Sequence, residues 1–416
     1  MLRTITPTHR LLGWTLGMTY IATGILSSLP GASLIQLARN THVSLAVAGG
    51  MFTASAFGFL LGAVLTGTLT KSVKSKYLLA LGLLLLGTGS LTIALTNSFP
   101  LLLVGQVLKG LGFGFIDIAL NTIATLAFKE NLSEKLNTIH GMYGVGALLG
   151  PTILALGLQF FNYLPLAYFI GAGVAVCTIV LILGQQAPEV PRTAKGDKQA
   201  NTMALRKILR QGLLWLLILQ ISLYTCAEVG FGNWIVTAVG QSANIGLTLA
   251  APVATAFFIG LTAGRLGGGQ ILKRGWMSET RLLYVAIFGS VFSGVLVAIF
   301  PNQLVIAYSA SALVGCFYGP LFPSIMAITS RRFVHAIGPV SSLMMIGTGT
   351  GSMLVPAAMG LLIPVIGINW VIAIPSAFCL AVVVPMALAN RIPQAALQLS
   401  GEEHTMVITT ETSSVL

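Results

Sequence analysis

Ten acidic residues stand among the 416 of this chain, and eight of them fall in polar stretches. Asp117 and Glu228 do not. Each sits near the middle of a long, mainly apolar run. A carboxylate at the centre of a membrane helix costs about 2.5–3.5 kcal/mol on insertion scales, and Asn or Ser would supply a polar contact more cheaply. Such an acid has two uses. It can load a proton on one side of a barrier and release it on the other, because desolvation and access to water or a cation act on a carboxyl in opposite directions. It can also stay neutral and hydrogen-bonded, locking two helices together.

The neighbours at helical spacing extend both acids. Asn121 follows Asp117 by four residues and so shares its face. Its amide donates and accepts, which suits a hydroxylated ligand or an interhelical bond. Tyr224 and Gly232 flank Glu228 at four-residue spacing, and Gln220 lies one turn further back. Trp234 could stack on a ligand or sit in an interfacial belt. His140 could relay protons or bond an adjacent helix. Lys109 precedes Asp117 by eight residues, about 80° round the helix. Arg265 is expected at a gate, capping helix ends or pairing across the molecule.

The elements that must hold these groups are set by composition. The chain is 55% hydrophobic and 8% charged, whereas soluble domains run near 25% charged, so most of the surface must face lipid. Apolar runs of about twenty residues predict twelve spans: Leu11–Leu37, Val43–Leu69, Tyr77–Asn97, Leu101–Phe128, Leu136–Phe160, Leu164–Gly184, Gly212–Val239, Ile245–Leu272, Leu282–Phe300, Leu304–Thr329, Ile337–Ile363 and Ile368–Ala389. The first is too long for the apolar core of a signal peptide. Alternating ten-residue strands of a β-barrel are absent. Numbering loops from the N-terminus, 19 of the 22 Lys+Arg fall in alternate connections and the two termini. The positive-inside rule therefore places both termini in the cytoplasm. This distribution also accounts for the net charge of +12 without nucleic acid. The four cysteines lie in apolar stretches with neither metal nor disulfide-framework spacing.

Glycines report a duplication. Gly58, Gly62 and Gly67 recur as Gly260, Gly264 and Gly269. Gly110 and Gly114 recur as Gly315 and Gly319, and Gly144, Gly146 and Pro151 as Gly347, Gly349 and Pro356. The offsets agree within three residues, which implies two six-helix bundles about a pseudo-two-fold axis along the membrane normal, with a cavity between them. The expected organisation is an N-terminal bundle over 1–184, a cytoplasmic linker over 185–211, a C-terminal bundle over 212–391 and a polar, disordered tail over 392–416.

Two stretches resemble the fucose-permease-like branch of the major facilitator superfamily: Gly110-Leu-Gly-Phe-Gly-Phe-Ile-Asp117-Ile-Ala-Leu-Asn121, and Leu136-Asn-Thr-Ile-His140-Gly-Met-Tyr143-Gly144-Val-Gly146-Ala-Leu-Leu-Gly150-Pro151. Glu228-Val-Gly-Phe-Gly232-Asn-Trp234 is similar to the same group more weakly. The resemblance implies a proton-coupled importer of sugars or similar polar solutes. It makes Asp117 a coupling position, and sets His140 and Tyr143 close to the solute. The chain departs from the pattern in having no acid in the first span, and Lys71 where the loop after the second span carries Asp.

The resulting expectation is an all-α membrane protein of twelve transmembrane helices and a secondary transporter working by alternating access. It would take up a small polar solute, with a sugar as the expected class, as a monomer in a bacterial inner (plasma) membrane. The proton-coupling residues are Asp117 and Glu228. The substrate-binding residues are Asn121, His140, Tyr143, Gln220, Tyr224 and Trp234, and the gate residue is Arg265. No cofactor or metal is expected beyond a proton gradient, with sodium as the alternative ion. An efflux antiporter for drug-like compounds or metabolites is the competing function. No H-E-x-x-H, G-x-S-x-G or P-loop pattern points to an enzyme.

Overall fold

The computed structural model describes residues 7–70, 72–128, 132–188, 208–333 and 337–392. Most of the expected linker and nearly all of the expected tail lie outside them. Among the described residues the chain is helical, without strands. Lipid offers no hydrogen bonds, so every backbone group of an apolar run must be satisfied within its own helix.

In the first half these helices are α1 (Pro7–Ala32), α2 (Leu34–Asn40), α3 (Leu45–Leu69), α4 (Ser75–Leu95), α5 (Phe99–Ala127), α6 (Leu132–Phe161) and α7 (Pro165–Leu183). In the second they are α8 (Gly212–Ser242), α9 (Leu247–Lys273), α10 (Glu279–Ile299), α11 (Leu304–Arg332), α12 (Ile337–Ile366) and α13 (Ile368–Asn390). Among the described residues eleven spans are long and apolar enough to cross a membrane, and the bent α1–α2 pair, counted as one span, makes a twelfth. The connections α3–α4, α9–α10 and α11–α12 and the start of α8 mark one end of the molecule, which we call the basic end.

The first span differs from the expected Leu11–Leu37. It leaves the membrane direction at Ala32, and α2 turns away by 65°. Pro30 lies in the last turn of α1, where its ring removes a helix donor. Ser33 then reorganises the corner, with its Oγ 2.8 Å from the Leu29 carbonyl and 2.8 Å from the Tyr168 hydroxyl.

The duplication is visible in the backbone. The left-handed residues His42 (φ 54°) and Asn244 (φ 50°) close equivalent turns, as do Asn162 (φ 49°) and Gly367 (φ 79°). Within the halves, α3 crosses α5 and α9 crosses α11 at backbone contact. A Cβ on Gly110 would lie 1.9 Å from the Ser55 carbonyl oxygen, and one on Gly260 would lie 1.9 Å from that of Ala312. Small residues let membrane helices approach this closely, so that dispersion holds them where lipid removes the hydrophobic drive.

Between the halves, α6 packs on α9, α3 on α12 and α1 on α8. The close contacts run from the middle of the spans to the end away from the basic loops. Thr53 Oγ1 donates to the Met353 carbonyl at 2.8 Å, and the Thr152 and Thr255 hydroxyls lie 3.0 Å apart. Trp234 belongs to this seal. It is fully buried, donates from Nε1 to the Pro356 carbonyl at 2.8 Å and packs edge-on to Phe52. Gly67, Gly141, Gly267 and Gly269, towards the basic end, meet open space.

The Gly110→Ala substitution should drive α5 off α3. Overpacking of this kind costs about 1–3 kcal/mol, so purified protein should unfold at a lower temperature and with lower yield. Gly67→Ala, facing open space, is the control and should unfold like the parent; equal behaviour of the two would refute the crossing argument.

Candidate functional site

The seam between the halves collects the polar side chains in two groups. The first is built on α5. Asp117 Oδ1 accepts a 2.8 Å hydrogen bond from the Tyr20 hydroxyl of α1. Asn121 Nδ2 donates to the Asp117 carbonyl at 2.8 Å and approaches Oδ1 at 3.4 Å. With its nitrogen committed to Asp117, the amide turns Oδ1 towards His140 Nε2, 3.1 Å away on α6. An amide oxygen only accepts, so this arrangement assigns the imidazole proton to Nε2. Donation runs from His140 to Asn121 and from Asn121 to Asp117, which accepts. The Tyr20 ring also lies against His140, with centroids 4.7 Å apart.

Asp117 has no ion pair among the described residues. Lys109 does not supply one: it is buried in the first bundle, with no hydrogen bond or ion pair of its ammonium among the described residues.

The second group belongs to the other half. Arg265 on α9 pairs with Glu228 on α8 at 3.1 Å, and the side chains are 28% and 19% exposed. Both charges therefore keep partial access to the seam. Sequence reasoning set Arg265 at a gate towards the basic end and left Glu228 without a partner. The structure supplies that partner, since Arg265 pairs with Glu228 and neutralises it. Its Nε is buried with no hydrogen-bond partner among the described residues. Tyr224 lies within electrostatic reach of the pair and donates to the Tyr318 carbonyl at 3.2 Å.

Tyr143 links the groups. Its ring stacks on Phe113 at 6.0 Å and meets Tyr20 edge-on at 6.3 Å, and Glu228 and Arg265 lie within its electrostatic reach. His140 likewise feels both Asp117 and Arg265. One polar surface thus brings Asp117, Asn121, His140, Tyr143, Glu228, Tyr224 and Arg265 together.

Two expected residues stand apart. Gln220 is buried inside the second bundle, on a small cavity it shares with Leu217, Ile328 and Arg332. Trp234 is enclosed in the seal described above.

Tyr20 was not anticipated. Its signal was available: it is the only tyrosine of the first span, and it follows Thr15 and Thr19 on a helix with no ionisable group after Arg10. The Glu228–Arg265 pair was also legible in principle, because opposite charges inside spans of one bundle seek each other.

The family model described as Major Facilitator Superfamily matches residues 16–346. The "Sodium-dependent glucose transporter 1" of Xenopus laevis is 24% identical over 357 residues, covering 80% of this chain and 72% of that protein. Among solved structures, the nucleoside transporter NupG superposes with a TM-score of 0.71 at 13% identity, covering 93% of this chain and 100% of that one. A variant of the E. coli fucose:proton symporter FucP does so with a TM-score of 0.63 at 17% identity, covering 92% and 99%. With the family model spanning most of its length and the fold matching end to end, the chain belongs to the major facilitator superfamily and is a membrane transporter of small molecules, not an enzyme.

Proposed function

We propose that the protein takes up a small, neutral, hydroxylated solute, a sugar by class, by alternating access coupled to protons. The observation that carries this reading is the unequal treatment of the two acids. Glu228 has Arg265 at 3.1 Å. Among the described residues Asp117 has only the neutral donors Tyr20 and Asn121. A bare carboxylate cannot be sealed cheaply into a dry interior. One proton on Asp117 removes that obstacle, so the seam closes over a loaded acid more readily than over an empty one. That is the differential affinity between states that coupling requires.

Hydroxylated cargo fits the remaining groups. His140, Asn121, Tyr143 and the spare donors of Arg265 offer both donors and acceptors, and the Phe113–Tyr143 stack offers an aromatic wall beside them. The names of the glucose-transporting relative and of the fucose:proton symporter support the same class. The basic end would face the cytoplasm of a bacterial cell, by the positive-inside rule. The conformation described is then closed outside and open inside.

Three outcomes test the reading. In proteoliposomes with an imposed pH gradient, Asp117→Asn should abolish gradient-driven accumulation of labelled D-glucose or fucose while leaving solute exchange in place. Accumulation that survives, or that follows a sodium gradient and ignores pH, would overturn proton coupling through Asp117. Net efflux under the same gradient would overturn uptake.

Glu228→Gln strands Arg265 in the membrane. Losing one partner of a buried pair costs about 3–5 kcal/mol, so folded yield should fall. The double substitution with Arg265→Gln should recover it, as read by monodispersity and thermal unfolding. A double variant no better than the single one would contradict the pairing.

Finally, Thr152→Cys with Thr255→Cys, in a chain whose cysteines 177, 226, 316 and 379 are replaced by Ala, should cross-link under mild oxidation. Transport should stop and return on reduction. A cross-linked protein that still transports would show that α6 and α9 need not part.

A further inference from the structure

A cavity of about 200 Å³ lies at the sealed end of the molecule, far from the Asp117 group. The bend between α1 and α2 creates it. Had the first span run straight, α2 would not lie across this end. Instead it presents Gln36 and Asn40 to the cavity, opposite Leu158 and Asn162 at the end of α6, and Leu247 of the second half completes the wall. Three side-chain carboxamides line the space, and no charged side chain does.

The hydrogen bonding leaves these amides half-used. Gln36 Nε2 donates to Asn40 Oδ1 at 2.9 Å, which fixes the orientation of both. Among the described residues the Gln36 oxygen and the Asn40 nitrogen make no further hydrogen bond, which leaves one acceptor and one donor. The Asn162 amide makes no hydrogen bond among the described residues, and its left-handed backbone (φ 49°) is a conformation Asn tolerates better than most residues. Fixed amide donors and acceptors in alternation match the vicinal hydroxyls of a polyol, each of which both donates and accepts.

The duplicated half provides the comparison. The offsets that relate the repeats carry Asn40 to Ser242 and Leu164 to Asn369. There, Ser242 donates to Asn369. In the first half the counterpart of Asn369 is apolar Leu164, and Asn40 turns back to Gln36. The carboxamide pair that lines the cavity therefore has no counterpart in the second half, where Ala238 and Ser242 stand at these positions.

We propose that this cavity is a second binding site, for a small neutral polyhydroxylated solute, at the closed end of the transporter. The solute class rests in part on the proposed function, although the carboxamides argue for it on their own. Because Leu247 comes from the second half and the other walls from the first, an occupant touches both halves. It therefore favours the state in which this end is shut, and by linkage the shut state binds it better.

Calorimetric titration of the purified full-length protein with D-glucose and with fucose tests this. Two sites per chain are expected for at least one of the sugars. Gln36→Leu with Asn40→Leu should weaken one site at least tenfold and leave the other. Asn121→Leu should do the reverse, and each variant's retained site shows that it is folded. No sugar binding in the parent, or binding that is wholly indifferent to Gln36→Leu with Asn40→Leu, overturns the proposal. If the central group takes a different cargo, Asn121→Leu changes nothing while the cavity variant still abolishes binding, so failure of the central reading is distinguishable from failure of this one.

Discussion

An ion in hydrocarbon must be neutralised by something within reach, and this molecule is organised around that constraint. Glu228 meets it with Arg265 at 3.1 Å. Among the described residues, Asp117 meets it only with dipoles, from Tyr20 and Asn121. The first solution is closed: the pair carries no net charge and can travel with its helices at little electrostatic cost. The second is open, since a carboxylate held by neutral donors gains from any cation that arrives. Partial exposure at the seam gives that cation a route. The acids are not a redundant pair, because the same price of burial is met internally in one half and left to an outside partner in the other.

That electrostatic arrangement needs rigid walls. Five helices supply the polar surface, and none could hold its group in place if its bundle were soft. The crossings at Gly110 and Gly260 bring backbones within van der Waals contact, so each half moves as a packed body. The interface between the halves is of another kind. It uses single hydrogen bonds, such as Thr53 to Met353 and Thr152 to Thr255, together with the enclosed Trp234. Contacts of that sort can be broken and remade for small free energies, whereas the glycine crossings cannot. The division between stiff bundles and a labile seam is the mechanical basis for exposing the site on alternate sides.

Much of this was legible in the residues. The twelve-span plan followed from apolar runs and the alternation of basic loops, and the duplication followed from glycine offsets that the left-handed residues His42, Asn244, Asn162 and Gly367 repeat. Asp117 and Asn121 were placed together by their four-residue spacing alone. What could not be read was contact between distant segments. Tyr20 reaches Asp117 across 97 positions, and Arg265 reaches Glu228 across 37. Helical periodicity orients a side chain round its own axis but says nothing of which helix it faces. For the same reason Gln220 and Trp234 were grouped with Glu228: they share its helix, yet one turns into the second bundle and the other is enclosed in the seal. The bend at Ala32 escaped because Pro30 and Ser33 are tolerated in membrane helices, and only the Ser33–Tyr168 bond shows that the corner is fixed.

The duplication also sharpens what is specific to this chain. The repeat offsets carry Asp117 to Phe322, which packs beside Tyr224, and Tyr20 to Ser222, which bonds the Gly347 carbonyl at 3.0 Å. They carry Arg265 back to Ala63, beside the Gly114 crossing. At each of these three positions, where one half bears a charge or its immediate partner, the other half bears a group that packs or bonds its own backbone. Selection for a stable scaffold would have no reason to break the symmetry in this way, since the two bundles solve the same packing problem. A seam that must recognise one asymmetric molecule and, under the proposed coupling, one ion does have a reason. The repeated features therefore report how the molecule moves, and the unrepeated ones report what it moves.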